Sequence, residues 1–295
     1  MKNKDLIKFS SIIFIVLCVF LIASCKKKEK TDDETQSVVD NAICEQEFMQ
    51  VQPTANSRAI NTKGTGSTAK MAGTYSFTPC DTLKKISGDT NWAMGGHIDP
   101  IYEYDFSACP NINGDGTARS GKYRIRLTGP LKVAGSKMII KLINYQINGS
   151  ITYACDSMII TNISTVFSST VAGTVPSSYS FRVQVINGVC TSTAGWTIKY
   201  SSDKTISTNT NGTHMPFDDV ITVNGNSSGT NRDGRTFTVN VNSIVKRANC
   251  KWISSGTMEL TPDGYKTRTV DYGNGNCDDD ATYTVNGQTI AFKLK

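Results

Sequence analysis

Two histidines, three tryptophans and nine cysteines carry most of the chemical range of this 295-residue chain. His97 and His214 lie far apart, each beside a glycine or proline turn, and no Gly-x-Ser-x-Gly elbow offers a nucleophile for either to activate. The chain therefore reads as a non-enzyme. Asn111-Ile112-Asn113-Gly114-Asp115-Gly116 echoes the oxygen-rich opening of a calcium loop, with Asn111, Asn113 and Asp115 as candidate ligands. The first position is Asn, no glutamate stands at the bidentate position, and a tight hairpin loop accounts for the same residues. Asp278-Asp279-Asp280 reads in the same way, as a solvated turn. Trp92, in the 87–96 loop, is the candidate for an exposed platform on which a sugar ring stacks; Trp252 alternates with Ile253 as packing residues do. No cysteines have the Cys-x₂₋₄-Cys spacing of a metal site, so neither metal nor cofactor is expected.

The elements that position these residues begin with an address. Three lysines and one aspartate within residues 1–8 precede an apolar run from Phe9 to Ala23, the charged and hydrophobic regions of an export signal. As helix the run reaches about 22 Å, short of the ~30 Å hydrocarbon core that a permanent span must cross. It ends in Leu21-Ile22-Ala23-Ser24-Cys25, which resembles the lipobox of bacterial lipoproteins. That resemblance implies a diacylglycerol on the Cys25 thiol, cleavage between Ser24 and Cys25, and acylation of the new amino group. Two or three buried acyl chains hold a protein durably where one does not. Cys18, inside the apolar run without small residues before it, reads as a small hydrophobe. Removing residues 1–24 lowers the formal charge from +6 to +4 over 271 residues, too mild and too evenly spread for nucleic acid. Residues 25–36, with Lys26-Lys27-Lys28 and Asp32-Asp33-Glu34, form a solvated tether. Lys30 to Glu34 is similar to the Lys/acidic tags that send some Bacteroidota lipoproteins to the cell surface, so the expected place is the outer membrane, with surface display put ahead of periplasmic residence.

Residues 37–72 read as a short helix and linker: Ser37 as cap, Val39, Ala42, Ile43 and Met49 near helical spacing, and Pro53 as the stop. From residue 73 to 295 the pattern is alternating strands cut by Asn-Gly at 113, 148, 187, 211, 224, 274 and 286 and by Asp-Gly at 115, 233 and 263. These dipeptides accept the positive φ of tight hairpins, so the expected fold class is all-β, an antiparallel meander that closes as a barrel, folds as a sandwich or stays a curved sheet.

Gly116 to Lys122 parallels Gly229 to Arg235, and Tyr104-Asp105-Phe106 before Cys109 parallels Val270-Asp271-Tyr272 before Cys277, as in a hairpin module used twice. Outside the cytoplasm the seven cysteines beyond Cys18 and Cys25 can form disulfides. With Asp263-Gly264 as a two-residue turn, strict register brings Cys250 opposite Cys277 at about 5.5 Å between Cα atoms. The repeat then pairs Cys80 with Cys109, Cys155 with Cys190 is the third expected pair, and Cys44 is left over.

The blocks Arg119-Ser120-Gly121-Lys122, Asn144 to Gly149, Cys250-Lys251-Trp252 and Val270-Asp271-Tyr272-Gly273-Asn274-Gly275 resemble a family of uncharacterised Bacteroidota all-β lipoproteins, from about Cys80 to the C-terminus. The resemblance implies a place and an anchor rather than a reaction. Asp81-Thr82-Leu83 and Asp156-Ser157-Met158 are similar to the sites at which some Bacteroidota O-glycosylate exported proteins. The reading is a lipid-anchored envelope protein, a structural or interaction module held to the membrane by its lipid, with a carbohydrate- or host-ligand-binding surface protein as the alternative.

Overall fold

A computed structural model describes residues 32–60, 83–92, 98–108, 117–131, 133–164, 177–213, 215, 218–250 and 252–294. Among the described residues one α-helix, α1 (Gln36–Ile60), precedes fourteen strands: β1 (Leu83–Ser87), β2 (Ile101–Asp105), β3 (Arg119–Leu127), β4 (Lys137–Ile147), β5 (Ile151–Ala154), β6 (Ser157–Asn162), β7 (Ser178–Ser192), β8 (Thr197–Asn209), β9 (Val220–Thr230), β10 (Thr236–Arg247), β11 (Ile253–Pro262), β12 (Arg268–Asn274), β13 (Asp280–Val285) and β14 (Gln288–Lys293). The expected all-β antiparallel meander is the fold: one sheet in which successive strands pair from β1 to β14, with β5 and β6 both lying between β4 and β7.

The helix departs from its expected bounds. Thr35 accepts the first backbone bonds from Val38 and Val39, at 3.1 and 3.2 Å. The Glu34 carboxylate takes both the backbone N–H and the hydroxyl of Ser37 at 2.9 Å, so Ser37 sits inside the first turn and the cap lies before it. Nor does Pro53 stop the helix, which runs to Ile60; a proline removes one backbone hydrogen bond, and here the helix continues past it.

Asn-Gly does two different things in this sheet. At 148–149, 211–212 and 286–287 both residues have positive φ and make turns, as do Asp-Gly 233–234 and 263–264 through their glycines. At 187–188, 224–225 and 274–275 the same dipeptide lies within or at the end of a strand. The register of β7 with β8 slips between Val185 and Gly188, and that of β9 with β10 between Val241 and Ile244, opposite Gly225. Further slips fall between Ser120 and Lys122 against β4 and between Ser255 and Thr257 against β12. A bulge bends its strand and increases local twist, so slips in several neighbouring pairs curl the sheet. Gly225 shows what such a position requires: at φ +129°, an added Cβ would lie 2.3 Å from the Asp203 carbonyl oxygen and 2.8 Å from Lys204 Cα. Gly225→Ala is expected to destabilise the chain by about 2–4 kcal/mol, read as a lowered urea midpoint; an unchanged midpoint would refute a required bulge.

The face inside the curl holds the core. Tyr104, Tyr123, Ile125, Tyr145, Met158, Val183, Cys190, Ile198 and Tyr200 are fully buried or nearly so, and a smaller cluster of Phe237, Val239, Val241 and Leu260 lies further along. Against this face lies α1.

Candidate functional site: the seat of the helix on the sheet

Helical periodicity picks out a buried stripe on α1: Ser37, Asp40, Asn41, Cys44, Glu47, Phe48 and Val51, spaced three or four residues apart. Only the C-terminal part of that stripe is apolar. Val39 and Ala42, which the sequence reading assigned to the packed face, are exposed. The carboxylates of α1 and its cap instead meet cations from the sheet, Arg268, Lys204 and Arg119 buried and Arg232 half-buried, and they do so in order along the helix.

Glu34 stands at the β12 end, where the Arg268 guanidinium donates to its backbone carbonyl at 3.0 and 2.7 Å. Asp40, fully buried, accepts from the backbone N–H of Arg232 at 2.8 Å and from its guanidinium at 2.9 and 2.6 Å. The same guanidinium lies 4.3 Å from the Trp196 ring centroid, a cation–π contact that fixes its plane. Asn231 and Ser227, from the β9–β10 turn and β9, reach Ser37 and Asn41. Glu45 receives the Tyr200 hydroxyl at 2.7 Å and the Lys204 ammonium on its other oxygen. Burial pushes the Lys204 ammonium down to about 7. Glu47 binds Arg119 through both oxygens, at 3.1 and 3.2 Å, and accepts the Tyr145 hydroxyl. Desolvation raises the pKa of Tyr145 and Tyr123 strongly, with the Glu47 charge adding to it.

From Glu34 to Glu47 the contacts therefore pass from β12 to β3. The eleven helical steps from Gln36 to Glu47 cover about 17 Å at ~1.5 Å each. The strands from β3 to β12 would spread over roughly 38 Å if flat, at ~4.8 Å per neighbour. The curl brings the outer strands within reach of one short helix. At its centre Phe48 stacks on Tyr200, with ring centroids 5.5 Å apart, and lies where a side chain on Gly188 would stand.

At its Glu47 end the seat is closed. Arg119 is 2% exposed, Glu47 5% and Tyr145 0%, so no substrate reaches the acid, base and phenol gathered there. Its work is to fix the helix. Among the described residues no group of three His, Cys, Asp or Glu side chains is placed to hold a metal.

Cys250 and Cys277 are joined by a disulfide with Cα atoms 5.7 Å apart. The strands between them do not keep the register of a two-residue turn: Leu260 pairs with Arg268 and Ser255 with Asn274, one and then two residues further on. The bond closes beyond the strand ends. The expected Cys155–Cys190 bond is not formed. Cys190 stands directly opposite Tyr153, so Cys155 is a diagonal neighbour two positions on; such neighbours lie about 7–8 Å apart, beyond disulfide reach. Cys190 instead faces Cys44.

Trp92 is no exposed platform: it is half-buried and packs against the main core, as Trp196 does. Asp279 and Asp280 both pair with Lys293 at 2.7 Å, the solvated arrangement expected there. In the second glycosylation motif Met158 is fully buried. Cys25, Cys80, Cys109, His97, His214, Asn111, Asn113, Asp115 and the Asp81-Thr82 pair lie outside the described residues.

Sequence reasoning missed Glu34, Asp40, Glu45, Glu47, Arg119, Lys204, Arg232 and Arg268 as a set. One signal was present: Arg119 and Arg232 are equivalent positions of the repeat, and each grips a carboxylate of the helix. No protein-family model matches the chain, and comparison with curated proteins and with solved structures finds no match.

Proposed function

We propose that this chain is a lipid-anchored lipoprotein of the cell envelope whose β-domain is a non-catalytic structural or interaction module. One observation carries the reading: the ionic seat of α1 begins at Glu34, nine positions after the lipobox cysteine Cys25. A tether of that length reaches at most about 30 Å fully extended. A pull on the lipid is delivered to the helix, and through its buried ion pairs to strands from β3 to β12. Such a seat suits a protein that must present a sheet close to a membrane surface without losing it. The outer membrane is the proposed site, with the domain displayed on the cell surface. The alternative of a glycan-stacking surface loses its best candidate, since Trp92 is packed against the core.

Growth with an alkyne-bearing palmitate analogue is expected to label the full-length chain, and Cys25→Ala is expected to abolish the label and leave residues 1–24 attached. An unlabelled wild-type chain that keeps those residues would overturn the reading. Protease added to intact cells then separates the two faces: digestion supports surface display, and protection until lysis places the domain in the periplasm.

A further inference from the structure

We infer that Cys44 and Cys190 are joined by a disulfide in the exported protein, a covalent bolt between the helix and the sheet. The inference rests on the export reading above.

Three observations carry it. The two sulfurs lie 2.7 Å apart, nearer to the ~2.05 Å of a bond than unbonded sulfurs remain, and both residues are fully buried. They belong to different elements, Cys44 to α1 and Cys190 to β7, and the surroundings hold both in place. Tyr153 pairs with Cys190 across the strands, donates its hydroxyl to the Ile43 carbonyl, and packs edge-on to Phe48. Finally, the contact brings two sulfurs together in the dry centre of the helix–sheet seat, beside the Phe48–Tyr200 stack, where burial and the neighbouring thiol push Cys190 strongly upward.

The chemistry balances simply. Both S–H bonds break, one S–S bond forms, and two electrons and two protons pass to the disulfide of an exchange partner, a disulfide-bearing oxidoreductase or an oxidised small thiol, which leaves as two thiols. Because both sulfurs are sealed once α1 is seated, the exchange belongs to the docking step of folding. The bond ties residues 146 apart, so it removes a large loop entropy from the unfolded chain. It makes the hold on the tether permanent where ion pairs alone would leave it reversible.

The test is a disulfide map of the full-length chain recovered from the cell envelope, alkylated in denaturant without reductant and digested for mass analysis. The expected result includes the cross-linked peptides Cys44–Cys190 and Cys250–Cys277. Alkylated Cys44 and Cys190 beside an intact Cys250–Cys277 bond would overturn the inference alone, as would either cysteine bonded elsewhere. Alkylation of all four would overturn the export reading and this inference with it. Stability provides a second measure. Cys44→Ala/Cys190→Ala is expected to melt about 10 °C below wild type without reductant, and most of that gap should close once both chains are unfolded and refolded in reductant. A gap that persists in full in reductant would mean packing, not a bond.

Discussion

Glu47→Ala is expected to lower stability by about 3–5 kcal/mol, the usual cost of stripping one partner from a buried ion pair. The substitution leaves Arg119 at 2% exposure with its guanidinium facing a void, and leaves the Tyr145 hydroxyl without its acceptor. Neither group can turn to water, because α1 covers both. The double variant Glu47→Leu/Arg119→Met is expected to recover most of the loss, to within about 1–2 kcal/mol of wild type, since removing both charges also removes both desolvation penalties. The remainder is the Tyr145–Glu47 hydrogen bond, which the double variant does not restore. Urea midpoints of the single, double and wild-type chains decide the matter. A Glu47→Ala cost below about 1 kcal/mol, or a double variant no better than the single, would mean that the pair is not sealed as described.

Alkali is expected to unfold the chain cooperatively between about pH 11 and 12. Tyr123, Tyr145, Tyr153, Tyr200 and Tyr272 all have pKa values raised by burial above the ordinary 10. Above pH 10 the unfolded chain loses these protons while the folded chain keeps them. The folded state then holds more protons, and its stability falls as pH rises. Each such phenol contributes about 1.4 kcal/mol per pH unit, so five of them consume about 7 kcal/mol in one unit, comparable to the ~5–15 kcal/mol of a whole domain. Cys155, pushed up to about 12 chiefly by burial, acts in the same sense above its ordinary 9. Lys204 acts oppositely. With its pKa lowered to about 7, the unfolded chain binds more protons between 7 and 10.5, so this group adds stability as pH rises through that window. The profile should therefore hold level or rise from pH 7 to 10 and then collapse. Tyrosinate absorbance followed with circular dichroism tests it: a single coincident step is expected, and phenolates that ionise near pH 10 with the fold intact would refute the burial.

A polar seat for the helix has a physical reason. An apolar stripe could slide by a turn along an apolar sheet with small loss. Carboxylates spaced along α1 and matched to Arg268, Arg232, Lys204 and Arg119 have one register in which all are paired. A slip of one turn strands buried charges, each costing several kcal/mol.

Local chemistry was legible in the chain itself. Asn286-Gly287 and Asp263-Gly264 need positive φ and sit between alternating runs, so they read as hairpins, and hairpins between neighbouring strands make a meander. A helix near Ser37 was also visible from spacing alone. The rest depends on partners distant in sequence. Asn187-Gly188 and Asn224-Gly225 carry the same signal as the turns, because a bulge and a turn ask for the same backbone, and only the pairing of flanking strands separates them. The buried face of α1 was hidden for a similar reason: nothing local marks Asp40 and Glu47 for burial until Arg232 and Arg119, 192 and 72 residues away, are brought against them. Polarity is a local property, and burial with a matching charge is not. The tertiary structure alone decided which cysteine faces Cys44 and which strands the helix meets.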